Sequence, residues 1–282
     1  MPEFGEICQS APSYRPANQI MQNFQLQYPL VLNIPHASTE IPPDLRETFL
    51  LSEQELQVEI NRITDHATDL IFLQAFPAAP AAVFPISRLV VDPERFCDDS
   101  KEPMSSVGMG VIYTRGTLRQ KLREAPSPLA RQRLLDQFYH PHHRKLEEIV
   151  DQALEEHDRC LIIDGHSFPS KALPYELNAE AARPDFCLGT DDFHTAEKLV
   201  GMVESELQRL GYSIARNEPF SGTIVPLKHY RKDQRVQSLM IEINRKLYVK
   251  EGYSVDRASL RKVIMALDSV RERLAENDFF VF

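Results

Sequence analysis

Apolar residues along the chain fall into two patterns. In the first, four to eight apolar positions run together and stop at a Pro, Gly or polar residue, which predicts buried strands. Residues 30–34 form such a run, ended by Pro35. Others lie at 160–164 and 238–244, with weaker ones at 82–84, 110–114, 185–190 and 212–215 and a possible one near 89–91. In the second pattern, apolar positions recur every three or four residues, which predicts amphipathic helices. Ser52 followed by Glu55 reads as a capping box opening a helix to about Leu73, with Leu56, Ile60, Ile63, Ala67 and Leu70 at helical spacing. A long helix is expected over 128–157, interrupted at Pro141, and two more over 194–210 and 254–276. Strands alternating with helices predict an α/β sheet covered on both faces. Residues 1–28, rich in Pro, Gln, Asn and Ser, read as a poorly ordered arm, and 29–282 as one domain.

Composition narrows the class. The 282 residues are 43% hydrophobic and 26% charged, with 32 basic against 41 acidic side chains and a net charge of −9. Such an acidic chain, without basic runs, argues against nucleic acid as a partner. No stretch approaches 18 apolar residues, so no membrane span is expected. No cleavable signal is read at the start. The cysteines, Cys8, Cys97, Cys160 and Cys187, form no C-x-x-C pair. Cys160 and Cys187 sit in apolar runs and read as buried thiols of a reduced, cytoplasmic protein. The sequence does not specify an oligomeric state.

Ligands collect at the carboxyl ends of strands in α/β sheets, and three such ends carry unusual chemistry. One presents His36. One presents Asp164-Gly165-His166-Ser167. The third carries Glu242, followed by Asn244-Arg245. Two histidines and a carboxylate match the ligand set of catalytic zinc, and a further carboxylate could take a proton from water. Asp164 could instead orient His166 or His36 through its other nitrogen. Asp65 and Asp69, at i and i+4 of a helix, would share a face and call for a cation. Tyr139-His140-Pro141-His142-His143 clusters histidines at the expected kink. Arg88, Arg95, Arg115 and Arg245 lie beside strand ends and suit an anionic substrate.

These residues, in this order, resemble the N-formylglutamate amidohydrolase family. The resemblance rests on Pro35-His36-Ala37-Ser38, Thr64-Asp65-His66-Ala67-Thr68-Asp69, Arg88 with Asp92-Pro93-Glu94-Arg95, the Tyr139–His143 cluster, Asp164-Gly165-His166-Ser167 and Glu242-Ile243-Asn244-Arg245. It implies a phosphorylase/hydrolase-like, three-layer α/β/α fold with a mixed central sheet, distantly similar to zinc carboxypeptidases. It also implies hydrolysis of N-formyl-L-glutamate or a close N-acyl amino acid, as in histidine degradation. Carried over, His36 and His166 hold Zn2+ or another divalent metal, and Glu242 is the general base. The carboxypeptidase-like H-x-x-E is missing, since Thr39 stands three residues after His36. The third ligand then falls to Asp65, with Asp69 and Glu40 as alternatives. Arg88, Arg95, Arg245, His143 and Ser167 are the expected substrate-binding residues. Phe220-Ser221-Gly222-Thr223 departs from the double glycine of the histidine-degrading members, which bears on the acyl substrate. A related hydrolase of another acylated acid, or a non-catalytic metal-binding relative, are the alternative readings.

Overall fold

The computed structural model describes residues 30–176, 180 and 182–276. The expected N-terminal arm lies outside the described residues. The six-stranded sheet has the order β2-β1-β3-β6-β4-β5, made of β1 (Leu30–Ile34), β2 (Ala81–Val83), β3 (Cys160–Phe168), β4 (Phe186–Gly189), β5 (Ile214–Arg216) and β6 (Val236–Asn244). Neighbours run parallel except β4 and β6, which are antiparallel, so the sheet is mixed.

Side chains alternate across a strand, so each strand feeds two layers. On one face Leu30, Leu32, Leu161, Ile163, Leu239 and Ile241 pack on α3 (Thr68–Ala75), α6 (Glu197–Arg209) and α7 (Arg257–Ala275). Gly165 has no side chain because the Phe72 ring of α3 lies where one would stand, 2.7 Å from an ideal Cβ. On the other face Val31, Cys160, Ile162 and Val236 pack on α5 (His140–His157) through Leu146, Ile149, Val150 and Ala153. A third core, around α2 (Glu53–Ile63), joins Leu56, Ile60 and Ile63 to Phe84, Leu89, Val91 and Tyr113. This is the expected three-layer α/β/α arrangement with a mixed sheet.

Along the face covered by α5 the chemistry changes. Asn33, Asp164, His166 and Glu242 continue the same alternation toward the strand ends, where the apolar side chains stop. Register sets them side by side: Asn33 pairs with Asp164 across β1 and β3, and His166 with Glu242 across β3 and β6.

Several expected elements differ. The helix from Ser52 ends at Ile63, its capping box intact, and α3 starts afresh at Thr68. Between them Ala67 takes a left-handed conformation, φ 58°. Asp65 lies in this break and Asp69 in α3, so the two do not share a continuous helical face. Residues 89–91 and 110–114 are turn and bend rather than strand. The break in the long helix precedes Pro141. A short helix, α4 (Pro128–Leu134), passes through a π-turn at Leu135–Tyr139 into α5. Proline has no N–H for the preceding turn and its ring crowds that carbonyl, which a widened turn accommodates. β3 also runs past Asp164 to Phe168, so the Asp164-to-Ser167 motif lies inside the strand. No helix among the described residues is long and apolar enough to cross a membrane. Cys160 and Cys187 are buried free thiols, as expected.

Candidate active site

Two histidines from separate strands meet at one point. His36, just beyond β1, and His166, on β3, bring their Nδ1 atoms to 3.2 Å. Asp65 completes the set, its Oδ2 lying 3.2 Å from His166 Nδ1 and 3.7 Å from His36 Nδ1. The break at Ala67 makes this possible. The Asp65 N–H donates to the His36 carbonyl, and Thr68 caps back onto the Asp65 carbonyl, so the loop is held against β1. The hydroxyl of Tyr248 donates to the His66 carbonyl and fixes the same turn.

Each histidine is pinned by a carboxylate on its far nitrogen. His36 Nε2 lies 2.8 Å from Asp92 Oδ1, and His166 Nε2 lies 3.0 Å from Asp164 Oδ1. Both partners are ionised. Burial alone would raise them, but Arg88 beside Asp92, and His166 beside Asp164, hold each below the ordinary carboxylate range. A carboxylate only accepts, so the Nε2 proton stays on each ring and both Nδ1 atoms face inward. For Asp65, burial is likewise outweighed by hydrogen bonds from His166 and His36, so it too is ionised. Asp164 and Asp65 hold His166 well above the ordinary imidazole range, so without a cation a proton lies between His166 Nδ1 and Asp65; a bound cation would replace that proton, and three donor atoms would then converge on it. Ligands about 2.0–2.1 Å from a tetrahedral zinc stand about 3.3 Å apart, close to the separations seen here. The donor set therefore fits a divalent cation, and the carboxylate behind each imidazole is the usual support of a metal-binding histidine.

Glu242 faces this cluster from β6. It is buried, and its Oε2 has no hydrogen-bond partner. Burial pushes its carboxyl up to about 8, with Asp65 adding to the rise and His166, Arg245 and Arg88 opposing it. The cluster opens into a cavity of about 460 Å³. Its walls include Arg88, Arg95, Arg245 and Ser167, with Ile63, Phe168, Phe220 and Met240 on an apolar side.

A family model described as N-formylglutamate amidohydrolase matches residues 28–249. The chain belongs to this family. Two proteins called N-formylglutamate deformylase are similar. The Pseudomonas putida protein is 25% identical over 88% of this chain and 93% of its own length, and the Pseudomonas aeruginosa protein 27% identical over 84% and 90%. The crystal structure of N-formylglutamate amidohydrolase from Ralstonia eutropha JMP134 superposes with a TM-score of 0.74 at 27% identity, covering 88% of this chain and 93% of that one. An Agrobacterium tumefaciens protein, 17% identical over 89% of this chain and 92% of its own, shares the fold with a TM-score of 0.63. This member of the amidohydrolase family is accordingly a hydrolase acting on an amide bond.

Within the family site, the expected residues separate by position. His36, Asp65 and His166 come together, with Glu242 beside them. Glu40 is exposed and Asp69 sits at the start of α3, both outside the donor cluster among the described residues. Arg95 and Arg245 line the cavity, and each keeps a buried Nε without a partner. Ser167 also lines it, with its Oγ unpartnered, while its N–H donates to Asp65. Arg88 lines it too, yet its Nε and one terminal nitrogen bond Asp92 at 3.1 and 2.8 Å. Arg115 is exposed on a hairpin. His143 lies against Tyr139 and donates to the Pro93 carbonyl, 2.9 Å away, and is not part of the cavity wall.

Sequence reasoning gave no role to Asn33, Tyr113 or Tyr175, and noted His142 only within a histidine cluster. Asn33 bridges Asp164 and Glu94 through its amide, at 2.9 and 2.7 Å. His142 Nε2 donates to the Asn33 side-chain Oδ1 at 2.9 Å. Tyr113 donates to Asp92, and Tyr175 lines the cavity. The one legible signal was Asn33, a polar residue inside an otherwise apolar strand.

Proposed function

We propose that this amidohydrolase cleaves N-formyl-L-glutamate, or a close N-acyl amino acid, to formate and glutamate, with zinc or another divalent cation held by His36, Asp65 and His166. One observation carries the reading. Three inward-facing donors, two of them imidazoles locked by carboxylates, stand beside a buried glutamate with a free oxygen. When bound, such a cation supplies Lewis acidity, both for a carbonyl oxygen and for acidifying water.

The chain's own groups do the rest. Glu242 Oε2 takes the proton of the attacking water and delivers it to the departing nitrogen, so the water's hydroxyl ends on the acyl carbon. Its raised carboxyl, near 8 without a cation and lower beside one, suits a base working close to neutrality. Arg95 and Arg245 take the substrate carboxylates through their free Nε–H groups. Ser167 Oγ offers one further donor. Ile63, Phe168, Phe220 and Met240 shelter the methylene chain and exclude water. The buried thiols of Cys160 and Cys187 are consistent with a cytoplasmic setting.

The test combines metal content with formate release from N-formyl-L-glutamate, with and without chelator. About one divalent ion per chain and chelator-sensitive formate release are expected. Glu242→Gln should keep the ion and lower kcat by about 10²–10⁴-fold. Undiminished turnover in that variant would remove Glu242 from its role. Turnover only of other N-acyl amino acids would overturn the substrate.

A further inference from the structure

The Asp92 carboxylate is the most heavily bonded group in the site. Its Oδ1 accepts from His36 Nε2 at 2.8 Å and from the Glu94 N–H at 2.9 Å. Its Oδ2 accepts from Arg88 Nε and Nη2, at 3.1 and 2.8 Å, and from the Tyr113 hydroxyl. Arg88 Nε also lies 3.2 Å from the Tyr113 oxygen, so the three side chains form a closed triangle behind His36. Asp92 and Tyr113 are fully buried.

Arginine recognises carboxylates best with two parallel N–H groups. In Arg88 one such pair is already filled by Asp92. A second carboxylate would find only the remaining edge of the guanidinium. Arg95 and Arg245 differ, since each keeps a buried Nε without a hydrogen bond, Arg95 Nε standing 3.9 Å from both Asp92 Oδ2 and Glu102 Oε1. Three cavity arginines are therefore not equivalent.

We propose that Arg88 and Tyr113 are positioning residues that orient His36 through Asp92, and that the substrate carboxylates fall to Arg95 and Arg245 alone. The metal-affinity part rests on the function proposed above; the orientation part does not. Arg88 neutralises Asp92 and fills one side of its Oδ2, and Tyr113 fills the other. With Oδ2 saturated, the carboxylate cannot rotate to offer it elsewhere, and Oδ1 stays aimed at Nε2. His36 then keeps its proton on Nε2 and its lone pair on Nδ1. Tyr113 is itself held by the loop around it. Its carbonyl accepts from Arg123 Nε at 2.9 Å, and the Asp92 N–H donates to the Val111 carbonyl at 2.8 Å. The brace therefore ties the 108–123 loop to the site.

The experiment compares Tyr113→Phe, Arg88→Lys and Arg88→Met with Arg95→Met. Metal affinity is read by chelator competition with Zn2+ or Co2+, and kinetics by the KM-against-kcat split on N-formyl-L-glutamate at saturating metal. A third reading uses the metal-free protein, where NMR follows solvent exchange of the His36 Nε2 proton. Tyr113→Phe and Arg88→Met should weaken metal binding by about 10–100-fold and speed that exchange, with KM nearly unchanged. Arg88→Lys keeps the charge and loses the fork, so it should rescue part of the affinity. Arg95→Met should do the reverse, raising KM about tenfold or more with metal affinity intact. A raised KM in Arg88→Met with unchanged affinity would return Arg88 to the substrate clamp. Unchanged Nε2 exchange in both Tyr113→Phe and Arg88→Met would overturn the brace, whether or not the protein binds metal. Absence of metal binding in the unsubstituted protein would instead count against the proposed function, leaving the exchange reading to decide the brace.

Discussion

His36 and His166 face each other across the site with the same donor atom, yet they are supported by unlike surroundings. Behind His36 stands an ion pair: Asp92 meets the Arg88 guanidinium, with the Tyr113 hydroxyl beside it. Behind His166 the support of Asp164 is neutral. Its Oδ1 accepts from the Asn33 amide and its Oδ2 from the Ile224 N–H at 3.2 Å. Asn33 also binds Glu94, and burial, with Asp164 nearby, pushes that carboxyl up to about 8. Glu94 is thus largely protonated at neutral pH. One arm keeps its carboxylate charged with an arginine, and the other with His166 itself, beside a glutamate kept largely uncharged. Both hold an Nε2 proton outward, and on His166 Asp164 and Asp65 also raise the ring well above the ordinary imidazole range. A saturated carboxylate is what keeps the Nε2 proton in place, and an arginine is one of two ways to saturate it.

The sharpest break of this comparison is Asp92→Asn against Asp164→Asn in the metal-free protein. Asp92→Asn strands the buried Arg88 charge and should lower stability by about 3–5 kcal/mol. Asp164→Asn strands no buried arginine and should cost about 1–3 kcal/mol. Urea unfolding measures both, and equal losses would show that the arms are not electrostatically distinct. Next in size is Asn33→Ala, which leaves His142 Nε2 without its acceptor and Asp164 and Glu94 without their shared donor. A loss of about 1–3 kcal/mol is expected, with weaker metal binding. Metal affinity matching the parent's would detach Asn33 from the His166 arm.

Glu94 adds a pH dependence. A carboxyl raised from about 4.5 to about 8 on folding binds its proton more tightly in the folded chain. Its contribution to stability is complete below pH 4.5 and is lost as pH rises through 8. Glu94→Gln keeps an acceptor for Asn33 and has no proton to lose. The Tm difference, variant minus parent, should therefore be flat below about pH 5 and climb by on the order of 10 °C toward pH 8, at roughly 2 °C per kcal/mol. A difference that falls over that range would mean that Glu94 is ionised in the folded protein.

Much of the frame was legible along the chain. The unbroken runs at Leu30–Ile34, 160–164 and 238–244 became the three central strands, because a strand buried on both faces admits few polar residues. His36, His166 and Glu242 stood out because each is a titratable residue at or near the end of such a run. Two apolar stretches misled. Residues 89–91 and 110–114 are as apolar as a strand, but they pack on α2 as turns and bends, and a run of apolar residues specifies burial without specifying backbone shape. The helix from Ser52 was expected to continue because its apolar spacing does; Ala67 in a left-handed conformation carries no mark that a sequence shows.

The alternation of strands and helices, the family, and which residue types stand at the strand ends could be read from the chain alone. These follow from local periodicity and from side chains whose chemistry is unusual where they sit. Folding in three dimensions settles which carboxylate joins the histidines, which arginines keep an Nε without a hydrogen bond and what holds each imidazole. Asp65 lies 101 positions from His166, Asn33 lies 109 from His142, and Tyr113 lies 21 from Asp92. Their meeting depends on sheet register, a helix break and a loop fold, and hydrogen-bond partners over such separations are set by packing rather than by spacing along the chain.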